Sequence, residues 1–170
     1  MENIEKVNSK MVPQCDSLSR MLEAASVINQ FGELNDVNFN LSRRHINYFK
    51  QALGILGLVT SGGHLTEAGS KALSLKGDQQ RVFLKGQFER SSCGRAWMNW
   101  MQASTIDELS AHSADMFLEQ RTDFPEAMIK RRGRTLRRWC QQLQSAQNQT
   151  FYRDMSIVKQ RNYVRVKLPK

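Results

Sequence analysis

The sequence predicts a mainly α protein built from two tandem winged helix-turn-helix units, with small β-wings and a basic C-terminal strand extension. Three observations predict it. Apolar residues recur at three- and four-residue spacing through most of the chain. Two of the helical segments carry cations on one face and apolar residues on the other. The first of these runs into a Gly-tipped turn between short β-prone stretches, and helix, short polar segment, cationic helix, hairpin is the element order of a winged helix-turn-helix. A chain of 170 residues, 40% hydrophobic and 24% charged, is globular and has room for one ordinary domain or two small ones.

Taken in order, residues 1–15 read as a frayed or weakly helical arm. Residues 16–78 form the first unit. Its opening helix places Leu18, Met21, Leu22, Ala25, Ile28 and Phe31 on one stripe and stops at Gly32. The Asn- and Asp-rich segment 33–41 has room for at most a short helix or turn. Ser42 then caps a second helix, with Ile46, Phe49, Leu53 and Leu56 on one stripe and Arg43, Asn47 and Lys50 on another, ending near Gly57. Leu58-Val59-Thr60, the turn Ser61-Gly62-Gly63 and His64-Leu65 read as a small hairpin wing, after which Thr66 caps a closing helix.

Residues 79–145 form the second unit. Helical pattern resumes at Gln79, and again from Gly94, where Trp97, Trp100 and Met101 make a heavy apolar stripe best read as core. Thr105 to Glu108 resembles a capping box, Ser113 opens a short helix, and Pro125 precedes a longer one running from about Ala127 to Gln144. Its apolar stripe is Ile129, Gly133, Leu136, Cys140 and Leu143. Arg131, Arg134, Arg138 and Gln141 take the opposite face, with Lys130, Arg132 and Arg137 on the flanks. Residues 146–170 read as one or two basic strands.

The formal net charge of +9 and a pI near 9.8 favour a polyanionic partner, either nucleic acid or an anionic surface. Its distribution is more telling. Residues 1–127 hold 13 Lys and Arg against 15 Asp and Glu, whereas 128–170 hold 12 against one, Asp154. Six Lys or Arg fall within Lys130 to Arg138, a window that contains no acid for i,i+4 pairing within it, and their mutual repulsion points to an anion supplied from outside. Double-stranded DNA fits: arginines grip guanine edges bidentately, Thr135 and Gln141 add smaller contacts, and neighbouring cations hold phosphates. In the first unit Asn47 suits adenine, with Ser42, Arg43, Arg44 and Lys50 toward the backbone, while His45 reads equally well as a surface residue without a role. Lys159, Arg161, Arg165 and Lys167 belong to the basic extension, expected along phosphates or the minor groove.

Other chemistries find little footing. Cys15, Cys93 and Cys140 are odd in number and widely spaced, which disfavours both a disulfide framework and a metal knuckle and fits a reducing cytoplasm. His45, His64 and His112 lie in separate segments without companion ligands, so neither a metal nor another cofactor is expected. The longest apolar run, Ala52 to Val59, is too short to span a bilayer, and no membrane partner is expected. A minimal metal-dependent nuclease would have to use Asp123 and Glu126 beside Lys130, a cluster that suits helix capping better. No phosphate-binding Gly-rich loop or nucleophile elbow is present, so no catalytic residue is expected.

Two stretches carry a family resemblance. Leu41 to Val59 (LSRRHINYFKQALGILGLV), followed by His64 to Gly69 (HLTEAG), resembles the winged-helix modules of bacterial restriction and phage-defence proteins. Ser113 to Leu118 and Ala127 to Cys140 are similar to a second module that often follows the first in those proteins, so that the resemblance spans roughly residues 15–143. It implies that the Ser42-capped helix is a recognition helix and that Leu65-Thr66-x-x-Gly69 opens the closing helix. Larger relatives carry a nuclease or ATPase domain, of which nothing is seen in these segments.

The expectation is therefore a non-enzymatic, sequence-specific reader of double-stranded DNA that acts chiefly through the Lys130–Arg138 helix and the basic extension. It would serve as a regulator or target-recognition factor in a restriction or phage-defence system, alone, as a homodimer, or with a defence-system protein partner. The rival is an inhibitor or adaptor that uses the same surface to bind another protein.

Overall fold

The computed structural model describes residues 6–145, which fold into eight α-helices. These are α1 (Leu18–Phe31), α2 (Asp36–Phe39), α3 (Arg43–Ile55), α4 (Glu67–Ser74), α5 (Gly77–Arg90), α6 (Ser92–Met101), α7 (Ala114–Arg121) and α8 (Glu126–Leu143), with two 3-10 turns at Ile106–Glu108 and Ala111–Ser113. Local chemistry sets most of the ends. Ser17, Ser42, Thr66 and Ser91 accept a main-chain N–H in the first turn of α1, α3, α4 and α6. Gly32 closes α1 in the left-handed conformation at φ 82°. Where the sequence allows only a short helix, Asn35 and Asn38 form a reciprocal capping box that makes α2 a single turn, and Asn40 ends it at φ 48°.

The expected β-wings are not formed. The described residues contain no β-strand, and Val59 and Leu65 form one isolated antiparallel bridge. The reason lies in the flanking caps. At the end of α3 the Leu58 N–H donates to Leu53 O and the Gly57 N–H to Gly54 O, a Schellman closure that needs the positive φ of 66° at Gly57. On the other side Thr66 is already the N-cap of α4. Between these fixed points the chain has room for one paired residue on each arm, closed by Thr60 N–H to His64 O at 2.8 Å and Thr66 N–H to Leu58 O at 3.0 Å. The second unit likewise has no strand among the described residues. The expected strand extension at 146–170 lies outside them.

One buried cluster runs through both sequence units, from Leu18, Met21, Ile28, Phe49 and Leu53 to Phe88, Trp97, Phe117, Leu136 and Trp139. Helices α2 to α4 pack around α1, α5 bridges to α6 and α8, and α7 packs on α8. The Trp97 stripe is core: Trp97 is fully buried, stacks on Phe117 with centroids 5.9 Å apart, and donates to Ser113 Oγ at 3.0 Å. Helices α7 and α8 approach closely at Gly133, where a Cβ would lie 1.8 Å from Asp115 Oδ1.

Residues 7–17, which overlap the stretch 1–15 expected as a frayed arm, form a strap that is buried at Val7, Val12, Pro13 and Cys15 and exposed from Asn8 to Lys10. Val7, Val12 and Cys15 are at most 7% exposed, and the strap threads between α3 and α8. Gln51 of α3 donates through Nε2 to the carbonyls of Ser9, Lys10 and Val12 at 3.1 to 3.3 Å. From α8, Arg132 donates to Val12 O, Trp139 Nε1 to Cys15 O at 2.7 Å and Gln142 Nε2 to Asp16 O at 2.8 Å. Replacing Trp139 by Phe keeps most of the packing, including the edge contact to Phe88, but strips the buried Cys15 carbonyl of its donor. Urea unfolding should then show a loss of about 1–3 kcal/mol. An unchanged midpoint would mean that the strap does not depend on this bond.

Candidate nucleic-acid interface

Helix α3 has two faces set by its periodicity. Ile46, Phe49, Ala52 and Leu53 are buried, with Phe49 edge-on to Phe39 of α2 at 5.2 Å. The other face carries Arg43, Asn47, Lys50 and Gly54 in one exposed stripe at i, i+4, i+7 and i+11, with Arg44 and His45 exposed beside it. Arg43, Asn47 and Lys50 make no side-chain hydrogen bond or ion pair with any described residue. Arg44 is held by Tyr48, whose hydroxyl accepts from its Nε and whose ring lies 5.7 Å from the guanidinium. His45 is tied to its own cap, with Nδ1 2.8 Å from Ser42 Oγ. The helix itself contains three Lys or Arg and no acid. Between its C-terminal half and the exposed turn Thr60–Gly63 runs a shallow groove of about 520 Å³, with Lys50 and Gly54 on one wall and Gly62 on the other.

Helix α8 is arranged differently from its sequence reading. Arg132 and Thr135 face inward: Arg132 is 4% exposed, and Thr135 Oγ1 turns back to Arg131 O at 3.4 Å. The helix is wider in its burial than the expected stripe, because Arg132, Thr135 and Trp139 are buried beside Gly133, Leu136, Cys140 and Leu143. Most of the remaining cations are answered from within the chain. Lys130 pairs with Glu126 at 2.7 Å, just before the cluster, Arg137 with Asp115 of α7, and Arg138 with Asp16 of the strap. The repulsion expected to call for an external anion is therefore offset largely by these partners. Arg131, Arg134 and Gln141 are the exposed members without a side-chain partner among the described residues. Lys159, Arg161, Arg165 and Lys167 lie outside the described residues.

Burial makes Arg132 the least ordinary cation in the chain. Desolvation, with Arg131 beside it, pulls its guanidinium down to about 10, and its Nε has no hydrogen-bond partner among the described residues. The periodicity held a signal for this, since Arg132 is spaced four, seven and eleven residues from Leu136, Trp139 and Leu143. The same burial acts on the thiols, pushing Cys93 and Cys140 up to about 12 and Cys15 to about 11. Thiols so held are poor nucleophiles at neutral pH.

The carboxylates weighed for a metal are each committed to a lysine, Asp123 to Lys6 at 2.6 Å and Glu126 to Lys130. No group of three or more His, Cys, Asp or Glu able to hold a metal occurs among the described residues. No helix among them is long and apolar enough to cross a membrane. No protein-family model matches the chain, nor does any curated protein or solved structure.

The thiols give a pH prediction whose sign follows from proton counts. Unfolded thiols ionise near 9, whereas the folded ones stay protonated to about 11 or 12, so the folded chain binds more protons between these values. Stability should fall from about pH 9 to pH 10, by up to about 1.4 kcal/mol per pH unit for each thiol. Arg132, held down to about 10, titrates within the same range with the opposite sign, so the fall is steepest just above pH 9 and flattens toward pH 10. Denaturant midpoints at pH 8, 9 and 10 check the slope, and all three thiols should react with a disulfide reagent only on unfolding.

Proposed function

We propose that this protein binds double-stranded DNA sequence-specifically, with α3 rather than α8 as the helix that enters the major groove. One observation carries the reading: α3 presents Arg43, Asn47 and Lys50 on a continuous exposed stripe, beside a groove bounded by a Gly-rich turn. The cations of α8 are, by contrast, mostly held by Val12, Glu126, Asp115 and Asp16. A helix fits the major groove, Asn presents the donor and acceptor pair that matches adenine N7 and N6, and Arg and Lys serve guanine edges or phosphates. The turn at Thr60–Gly63 lies where a phosphate strand flanking the groove would pass. Arg131, Arg134 and the basic residues Lys159, Arg161, Arg165 and Lys167 add non-specific phosphate attraction. The sequence motifs make a regulator or target-recognition factor of restriction or phage defence the setting we propose, with a two-fold symmetric target if the chain acts as a homodimer.

A second reading, an adaptor or inhibitor that grips another protein, has one observation in its favour. Phe31 at the end of α1 and Val37 in α2 are 58% and 88% exposed, apolar side chains that DNA does not need.

Site selection from a random duplex pool, followed by binding at several salt concentrations, tests the proposal. The purified chain should enrich a motif and lose affinity steeply with salt. Asn47→Ala should cost about 1–3 kcal/mol and relax the preference at one base pair, whereas Lys50→Ala should weaken all sequences alike and lower the salt slope by about one. Arg131→Ala with Arg134→Ala should lower affinity without altering the motif. Salt-insensitive or undetectable binding overturns the DNA reading and leaves the protein-binding one, for which Phe31→Ser with Val37→Ser is the matching probe.

A further inference from the structure

Gly54 sits in the last turn of α3, at the end of the exposed stripe, and nothing among the described residues asks for glycine there. A Cβ built at this position meets no atom within 4 Å, and its φ is not left-handed. The Schellman closure uses only its carbonyl, which any residue supplies. Glycine is a poor helix former, and close approach of an outside backbone is one of the uses of a bare Cα.

The surroundings say what approaches. Gly54 and Gln51 form a low ridge shared by two grooves, since both residues line each of them. On one side is the groove beside Lys50 and the Gly62 turn. On the other is a groove of about 470 Å³, lined by Lys10 of the strap and by Arg90 and Ser92 at the junction of α5 and α6. The Gln51 carboxamide is turned into the strap, where it donates to three carbonyls and accepts from Gln14 Nε2 at 3.2 Å. The ridge therefore stays lowest at Gly54. No carboxylate lines either groove, and three cations do. The lining matches a continuous polyanion that passes from one groove to the other.

We propose that one sugar–phosphate strand of a bound duplex crosses α3 at Gly54, leaving the groove beside Lys50 and entering the groove between Lys10 and Arg90. This rests on the reading of α3 as the DNA-facing helix and adds a phosphate-binding track that the stripe alone does not provide. It makes the strap, through Lys10, part of the nucleic-acid surface.

The experiment uses the full chain and a random-sequence duplex. Gly54→Ala fills open space with a better helix former, so its melting temperature should equal or exceed that of the parent. Its affinity should nevertheless drop several-fold, and that of Gly54→Leu more than tenfold, whatever the DNA sequence. Lys10→Ala combined with Arg90→Ala should lower the salt slope by about two and leave the selected motif unchanged. Parental affinity in both Gly54 variants overturns the crossing while leaving the α3 reading to the Asn47 test. Weaker binding by the Gly54 variants with no change of slope in the double variant overturns the second groove. If Gly54→Leu fails to fold, Gly54→Ala and the double variant still decide. A parent chain that shows no salt-dependent binding overturns both readings.

Discussion

A segment that is neither helix nor strand, packed against a helical protein, must find hydrogen-bond partners for its carbonyls without the help of a helix or a sheet. Here the partners are side chains. Gln51 serves three carbonyls from α3, and Arg132, Trp139 and Gln142 serve three from α8, one of them, that of Val12, shared with Gln51. Each is a long donor projecting from a packed helix, so satisfying the strap fixes the two helices relative to each other. The orientation of α3, and with it the direction in which Asn47 and Lys50 face, depends on this bonding as much as on the apolar contacts beneath it.

The same constraint explains the division of labour among the cations. A guanidinium buried in a low-dielectric setting is costly unless it is hydrogen-bonded or paired. Arg132 meets that cost by holding Val12 O, and Arg138 closes a neighbouring contact to Asp16 at the end of the strap. Charges that look in sequence like one functional cluster thus separate into members that hold the fold and members that remain free. Helix α3 has fewer cations, but those on its stripe hold nothing else in place.

Helix positions were legible because their causes are local. Ser42, Thr66 and Gly32 announce their ends within a few residues, and the 3.6-residue pattern of α1, α3 and α8 appears in any short window. The exposed stripe of α3 was legible for the same reason. What could not be seen was set by partners far away in sequence. The spacing of Arg132 marks its inward side, but its partner Val12 lies 120 residues away, and the acids that pair with Arg137 and Arg138 lie 22 and 122 residues off. The missing wings have a different cause. Val59 and Leu65 have strand-like character, but the pairing length is limited by the two helix caps that enclose them, a property of spacing rather than of residue type.

The strap also orders events in time. Its partners on α3 emerge soon after it during synthesis, but Arg132 and Trp139 follow 120 and 124 residues behind the carbonyls they bind. Until α8 has been made, Val12 and Cys15 have only part of their final enclosure. Closure of the core is then a late step that depends on long-range contacts and is slow relative to helix formation. A nascent chain halted before α8 would expose the strap's apolar residues, giving quality-control chaperones a handle that the finished protein conceals.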